Sequence, residues 1–153
     1  MQHHGVLFRR SILFTALFFF SFFAVAVHAG KYMHVAKDGV NVRSGPGEKN
    51  EILFEVFKDY PVIVLQTKGK WIKITDFEGD QGWIYSSLLN NGLTYIVKVA
   101  DGNMRSGPGE KYDIIAKVKK GVVFRRLKKS GKWRNIEHAN GATGWMHNSL
   151  LWP

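Results

Sequence analysis

Cysteine is absent from the 153 residues. That excludes disulfides and a thiol nucleophile, and any fold must be held by its own apolar core. There is no Gly-x-Ser-x-Gly elbow and no phosphate-binding glycine loop. Only three histidines lie beyond the first 29 residues: His34, His138 and His147. No pair has the i, i+4 spacing of a helical zinc motif and no third ligand stands near, so they read as surface or edge-strand residues. No amphipathic helix pattern is visible outside the N-terminus. Acidic residues are scarce, 12 against 22 Lys and Arg.

The N-terminal segment has its own character. Arg9 and Arg10 precede an uncharged, almost wholly apolar run from Ile12 to Val27, and Val27-His28-Ala29 offers small or branched residues where a signal peptidase reads. The expectation is a secretory signal over 1–29, cleaved after Ala29, delivering the rest to the periplasm or outside the cell. A run of this length leaves an uncleaved membrane anchor as the alternative.

What is present is repetition. Asn41-Val42-Arg43-Ser44-Gly45-Pro46-Gly47-Glu48-Lys49 returns as Asn103-Met104-Arg105-Ser106-Gly107-Pro108-Gly109-Glu110-Lys111, a shift of 62 positions. The same shift carries Gly69-Lys70-Trp71 onto Gly131-Lys132-Trp133, Gly82-Trp83 onto Gly144-Trp145, and Ser87-Leu88-Leu89 onto Ser149-Leu150-Leu151. One register kept across four separate blocks means two copies of one unit, expected at 31–90 and 94–153. Each copy is about 60 residues, near the lower limit for a domain that folds alone. The linker is so short that the copies should lie close together.

Within each copy, short apolar or alternating runs are separated by turn signals. In the first, extended segments are expected at Tyr32-Val35, Ile52-Val56, Val62-Thr67, Trp71-Thr75 and Gln81-Tyr85. Arg43-Ser44-Gly45-Pro46-Gly47 reads as a turn, and Lys68-Gly69-Lys70 as a hairpin. Five short strands with one long early loop predict a small barrel, because so small a sheet must roll up to bury its face. The fold class is thus all-β: two tandem barrels behind a signal helix.

These blocks carry a resemblance. The Asn-Val-Arg-Ser-Gly-Pro loop, the Gly-Lys-Trp strand, the closing Gly-Trp-Ile strand and the Ser-Leu-Leu turn are similar to the bacterial SH3 (SH3-like) domain family, with Met104 in a branched-residue position of the second copy. The resemblance covers essentially everything after residue 30. It implies two SH3-like barrels. Because the family occurs mostly on exported envelope proteins, often as the targeting part of wall hydrolases, it also implies a wall- or envelope-binding role.

Charge separates the copies. Lys31 to Gly92 has eight basic and eight acidic residues; Leu93 to Pro153 has twelve and four. Lys117 to Arg134 holds nine Lys and Arg with no acid between them. Such a run is either a solvated face or a contact for a polyanion. The candidate ligand-binding residues are therefore Arg125, Arg126, Lys128, Lys129, Lys132 and Arg134, with Trp133 beside them. Arg43 and Arg105 in the Ser-Gly-Pro loops could offer a forked donor, or pack over the barrel. Trp71 could line a shallow groove as Trp133 could, though so large a ring is more often core. Trp152 would cap the second barrel. The expectation is an exported binding protein rather than an enzyme, with no cofactor, contacting peptidoglycan or another anionic envelope component. The alternative is an adaptor for another envelope protein, or a membrane-tethered sensor if the signal stays. The export signal argues against nucleic acid.

Overall fold

The computed structural model describes residues 30–153; the expected signal lies outside the described residues. Each copy forms one antiparallel sheet of seven short strands. In the first these are β1 (Tyr32–Val35), β2 (Val40–Arg43), β3 (Ile52–Val56), β4 (Pro61–Lys68), β5 (Trp71–Thr75), β6 (Gln81–Tyr85) and β7 (Leu89–Asn91). In the second they are β8 (Thr94–Val97), β9 (Asp101–Arg105), β10 (Ile114–Lys119), β11 (Val123–Ser130), β12 (Trp133–Glu137), β13 (Thr143–His147) and β14 (Leu151–Trp152). The strand orders, β3-β2-β6-β5-β4-β1-β7 and β10-β9-β13-β12-β11-β8-β14, are the same order written twice.

Seven strands replace the expected five. β2 overlaps the start of the turn signal, and β7 is too short for a period of two to register. Both form because a partner exists in space. β2 aligns with β3 from Val40 opposite Val56 to Arg43 opposite Ile52, and β7 returns beside β1 with Leu89 opposite Val35. A 3-10 turn, Ser86–Leu88, swings the chain from β6 to β7, and Asn148–Leu150 does the same before β14.

Alternation decides the inside of each barrel. Val35, Val42, Val62, Ile74 and Ile84 are fully buried in the first; Val97, Ile136 and Met146 are fully buried in the second. The two cores are not copies. At matched positions Val42 gives way to Met104, Val62 to Phe124 and Ile84 to Met146, while Val40 shrinks to Gly102. A Cβ on Gly102 would meet the Met146 methyl at 2.7 Å, so the longer Met146 fills the space that Val40 occupies in the first copy. The glycine of each Gly-Trp pair has a packing reason too. Built Cβ atoms on Gly82 and Gly144 would strike Val42 at 2.4 Å and Met104 at 2.5 Å, where β6 and β13 cross β2 and β9.

The first barrel has a buried polar anchor that the second lacks. Tyr60 donates its hydroxyl to Asp76 Oδ2 at 2.9 Å, and Asp76 Oδ1 accepts from the backbone N–H of Glu78 and Asp80, shaping the turn before β6. Burial, and after it the Asp76 hydrogen bond, keeps the Tyr60 phenol protonated well above its ordinary range. The matching positions are Val122 and His138.

The barrels touch. Thr94, 3% exposed, donates its hydroxyl to the Asp59 carbonyl at 2.7 Å. Ile96 on β8 is fully buried and belongs to the apolar cluster of the first barrel, against which Val123 and Trp152 also pack. Trp152 therefore bridges the barrels rather than capping only the second.

Candidate functional site

Strand register builds the same groove on both barrels. Trp71 on β5 lies directly opposite Tyr85 on β6, and their rings meet edge to face at 5.5 Å and 82°. Trp133 on β12 lies opposite His147 on β13 in the same way, at 5.4 Å and 78°. On β2, Val42 points into the core, so Asn41 and Arg43 point out beside the aromatic pair. The groove of the first barrel is lined by Asn41, Arg43, Glu48, Trp71, Tyr85, Ser87 and Leu88, and widens past Lys37 and Gly39 to a volume of about 450 Å³. The second groove is lined by Asn103, Arg105, Glu110, Trp133, His147, Ser149 and Leu150, with about 200 Å³. All seven lining positions correspond at the 62-residue shift, and Tyr85 against His147 is the one difference of residue type.

The loop beside each groove is held by its arginine. Arg43 Nη1 donates to the Asn50 carbonyl at 2.8 Å. Arg105 Nη1 donates to the carbonyls of Glu110 at 2.9 Å and Tyr112 at 2.8 Å. Gly47 N–H to Gly45 carbonyl and Gly109 N–H to Gly107 carbonyl, both 3.0 Å, tighten the two loops alike. The arginines thus brace the Ser-Gly-Pro-Gly loop and still contribute to the groove wall. In the second groove the His147 ring Nδ1 lies 2.7 Å from the Ser149 hydroxyl. The result is an apolar aromatic wall facing an amide, a carboxylate and a hydroxyl, an arrangement suited to a short peptide or a sugar.

The ten candidate residues fall into separate places. Arg43 and Trp71 share one groove, and Arg105 and Trp133 share the other. Lys128 lies over the Trp145 ring at 5.7 Å, and Lys132 is exposed at the β11–β12 turn. Arg125 pairs with Glu137 at 3.0 Å. Arg126, Lys129 and Arg134 line a further concavity. The basic stretch is not without acids, as its sequence implied. Lys119 pairs with Asp101, and Lys120 with Glu78 of the first barrel at 2.6 Å. The acids come from other strands, which linear inspection does not bring together. Sequence reading also passed over Asn41, Glu48 and Ser87 with their counterparts, and set His147 aside. Their coincidence at the repeat shift was the available signal.

The chain belongs to the bacterial SH3 domain family, whose model matches residues 36–91 and 98–153. It is 34% identical over 151 residues to a Bacillus subtilis protein provisionally named N-acetylmuramoyl-L-alanine amidase YrvJ, covering 92% of this chain and 29% of that protein. It is 28% identical over 74 residues to a Staphylococcus epidermidis protein provisionally named cell wall amidase LytH, covering 46% of this chain and 25% of that one. A solved NlpC/P60 family protein from Bacillus cereus overlays at a TM-score of 0.39 and 12% identity, covering 79% of this chain and 55% of that one, too distant to carry an argument.

The expectation that the chain is not an enzyme is corrected by these relatives. Both are named as amidases, and the chain spans less than a third of either. That expectation rested on motifs missing from this stretch, and the greater part of each named relative lies outside the match.

Proposed function

We propose that the two barrels engage peptidoglycan in the cell envelope through their twin grooves and hold an amidase-type wall hydrolase activity on its substrate. The observation that carries this reading is the groove built twice, with Asn, Arg, Glu, Trp, Ser and Leu at matched places. The amidase names of the relatives supply the reaction class. Two modest sites on a short linker also suit a polymer that presents the same peptide or glycan many times, because the second contact forms at high effective concentration.

Pull-down of the chain on purified sacculi tests this. Trp71→Ala and Trp133→Ala should each weaken retention, and the double variant should lose most of it, about a hundredfold where both grooves engage one sacculus. Retention should persist at raised salt, since ring and hydrogen-bond contacts are screened little. Undiminished retention of the folded double variant rejects the reading.

A further inference from the structure

Lys98 and three cations of the basic stretch meet in one concavity of the second barrel, which Tyr32 of the first barrel also lines. Lys98 follows β8, Arg126 and Lys129 lie on β11, and Arg134 lies on β12. They line a cavity of about 530 Å³ that also takes in Asn148, and among the described residues no acidic side chain lines it. Sixty-two positions earlier, the first copy has Ala36, Val64, Thr67 and Ile72. Four places uncharged in the first copy are thus charged in the second, and all four charges line the same space.

A bulge makes this convergence possible. In a regular strand Arg126 and Lys129, three apart, would face opposite sides. The register shifts between Arg126 and Lys128, so Arg126 stands opposite Ile136 and Lys129 opposite Arg134. Ile136 and Arg134 are two apart on β12 and share a face, which places Arg126 and Lys129 on that face as well. Arg134 is held in place by Nη1 donating to the Gly131 carbonyl at 3.0 Å and the Trp133 carbonyl at 3.2 Å.

The arrangement costs energy when empty. Lys129 and Arg134 are directly opposed like charges, which destabilise a sheet pair. Among the described residues, Lys119, Lys120 and Arg125 have carboxylate partners within 4.0 Å, whereas Lys98, Arg126, Lys129 and Arg134 have none. A multivalent anion seated among them relieves the repulsion. Two guanidinium forks and two ammonium groups suit the several acceptor oxygens of a phosphate better than the two of one carboxylate.

We infer that this concavity is a binding site for a phosphate ester carried by an envelope polymer or lipid, separate from the twin grooves. Titration calorimetry on the whole chain, with poly(glycerol phosphate) as probe, tests it. Glycerol phosphate and vesicles containing phosphatidylglycerol serve as further arms, with polyglutamate as the carboxylate control. The polymer should bind at low salt and weaken steeply as salt rises. Binding of the vesicles alone assigns the phosphate to lipid, and binding of the polymer alone assigns it to a wall polymer. Restoring the first copy's residues with Lys98→Ala, Arg126→Val, Lys129→Thr and Arg134→Ile should reduce affinity at least about tenfold and flatten the salt dependence. If that variant does not fold, Arg126→Gln with Arg134→Gln serves instead, with folding checked by circular dichroism. The Trp71→Ala, Trp133→Ala double variant should bind the phosphate probe like the parent, which keeps this test apart from that of the grooves. Equal affinity for polyglutamate and poly(glycerol phosphate), parental binding by the charge-reverted variant, or no binding of any phosphate probe at low salt overturns the inference.

Discussion

The first barrel is neutral and contains a buried Tyr60–Asp76 hydrogen bond; the second has twelve basic against four acidic residues and has Val122 and His138 at those places. Both keep the strand order, the braced loop and the tryptophan groove. Duplication preserved what the fold needs and what the groove presents. The core was free to change as long as volume was balanced, as Gly102 and Met146 show. The surface was free to change wherever a strand position faced solvent. The difference teaches that one scaffold can keep a groove in both copies while a basic concavity is built on only one of them.

The largest expected effect tests whether the barrels are separate at all. Ile96 belongs to the second copy by sequence but to the first core by packing. Ile96→Ala should cost about 2–5 kcal/mol, and calorimetry should show the melting of both barrels shifted. A shift confined to the second barrel would break the picture of a shared apolar interface. For the same reason fragments 31–90 and 94–153 should each fold less stably than the joined chain, each exposing surface the other covers.

Tyr60→Phe comes next. It removes a buried donor from Asp76 and should cost about 1–3 kcal/mol, while Val122→Thr at the matched place in the second barrel should be milder. The sign of the pH effect follows from the raised phenol. Its contribution to stability is full below the ordinary tyrosine value of about 10 and is lost progressively as pH rises beyond it, because the unfolded chain ionises first. Denaturant midpoints followed from neutral to alkaline pH should fall for the parent and fall less steeply for Tyr60→Phe. Parallel curves above the ordinary tyrosine value would show that ionisation of the phenol is not linked to folding.

Exchanging the one unlike groove position is a smaller perturbation. Tyr85→His and His147→Tyr should change retention on sacculi by about twofold to tenfold, in opposite directions, since edge-to-face aromatic pairing contributes about 0.5–1.5 kcal/mol. Identical retention of both variants would show that the grooves do not read this side chain. The smallest effect belongs to Lys120→Gln. Its pair with Glu78 joins the barrels but lies at half-exposed side chains, so the expected loss is under about 1 kcal/mol and fades with salt. A loss above that would make the ion pair, rather than Ile96 and Thr94, the main tie between the barrels.

By itself the sequence determined the duplication, the all-β class, the turn positions and the family, because these rest on local signals: glycine and proline at fixed turns, alternation along strands, and one shift kept throughout. It also singled out Arg43, Arg105, Trp71 and Trp133 as candidates. Only the tertiary structure decided where they stand and what they touch. Asn41 joins Trp71 because β2 and β5 both border β6, an adjacency across 30 residues that no local pattern encodes. Lys119, Lys120 and Arg125 lost their standing as free charges because Asp101, Glu78 and Glu137 reach them from other strands. Arg126 and Lys129 came to share a face through a one-residue bulge, which overrides the period of two from which a linear reading must start. Local chemistry writes strands and turns into the chain, whereas a site forms where strands remote in sequence are held side by side, and that neighbourhood is set by the folded sheet.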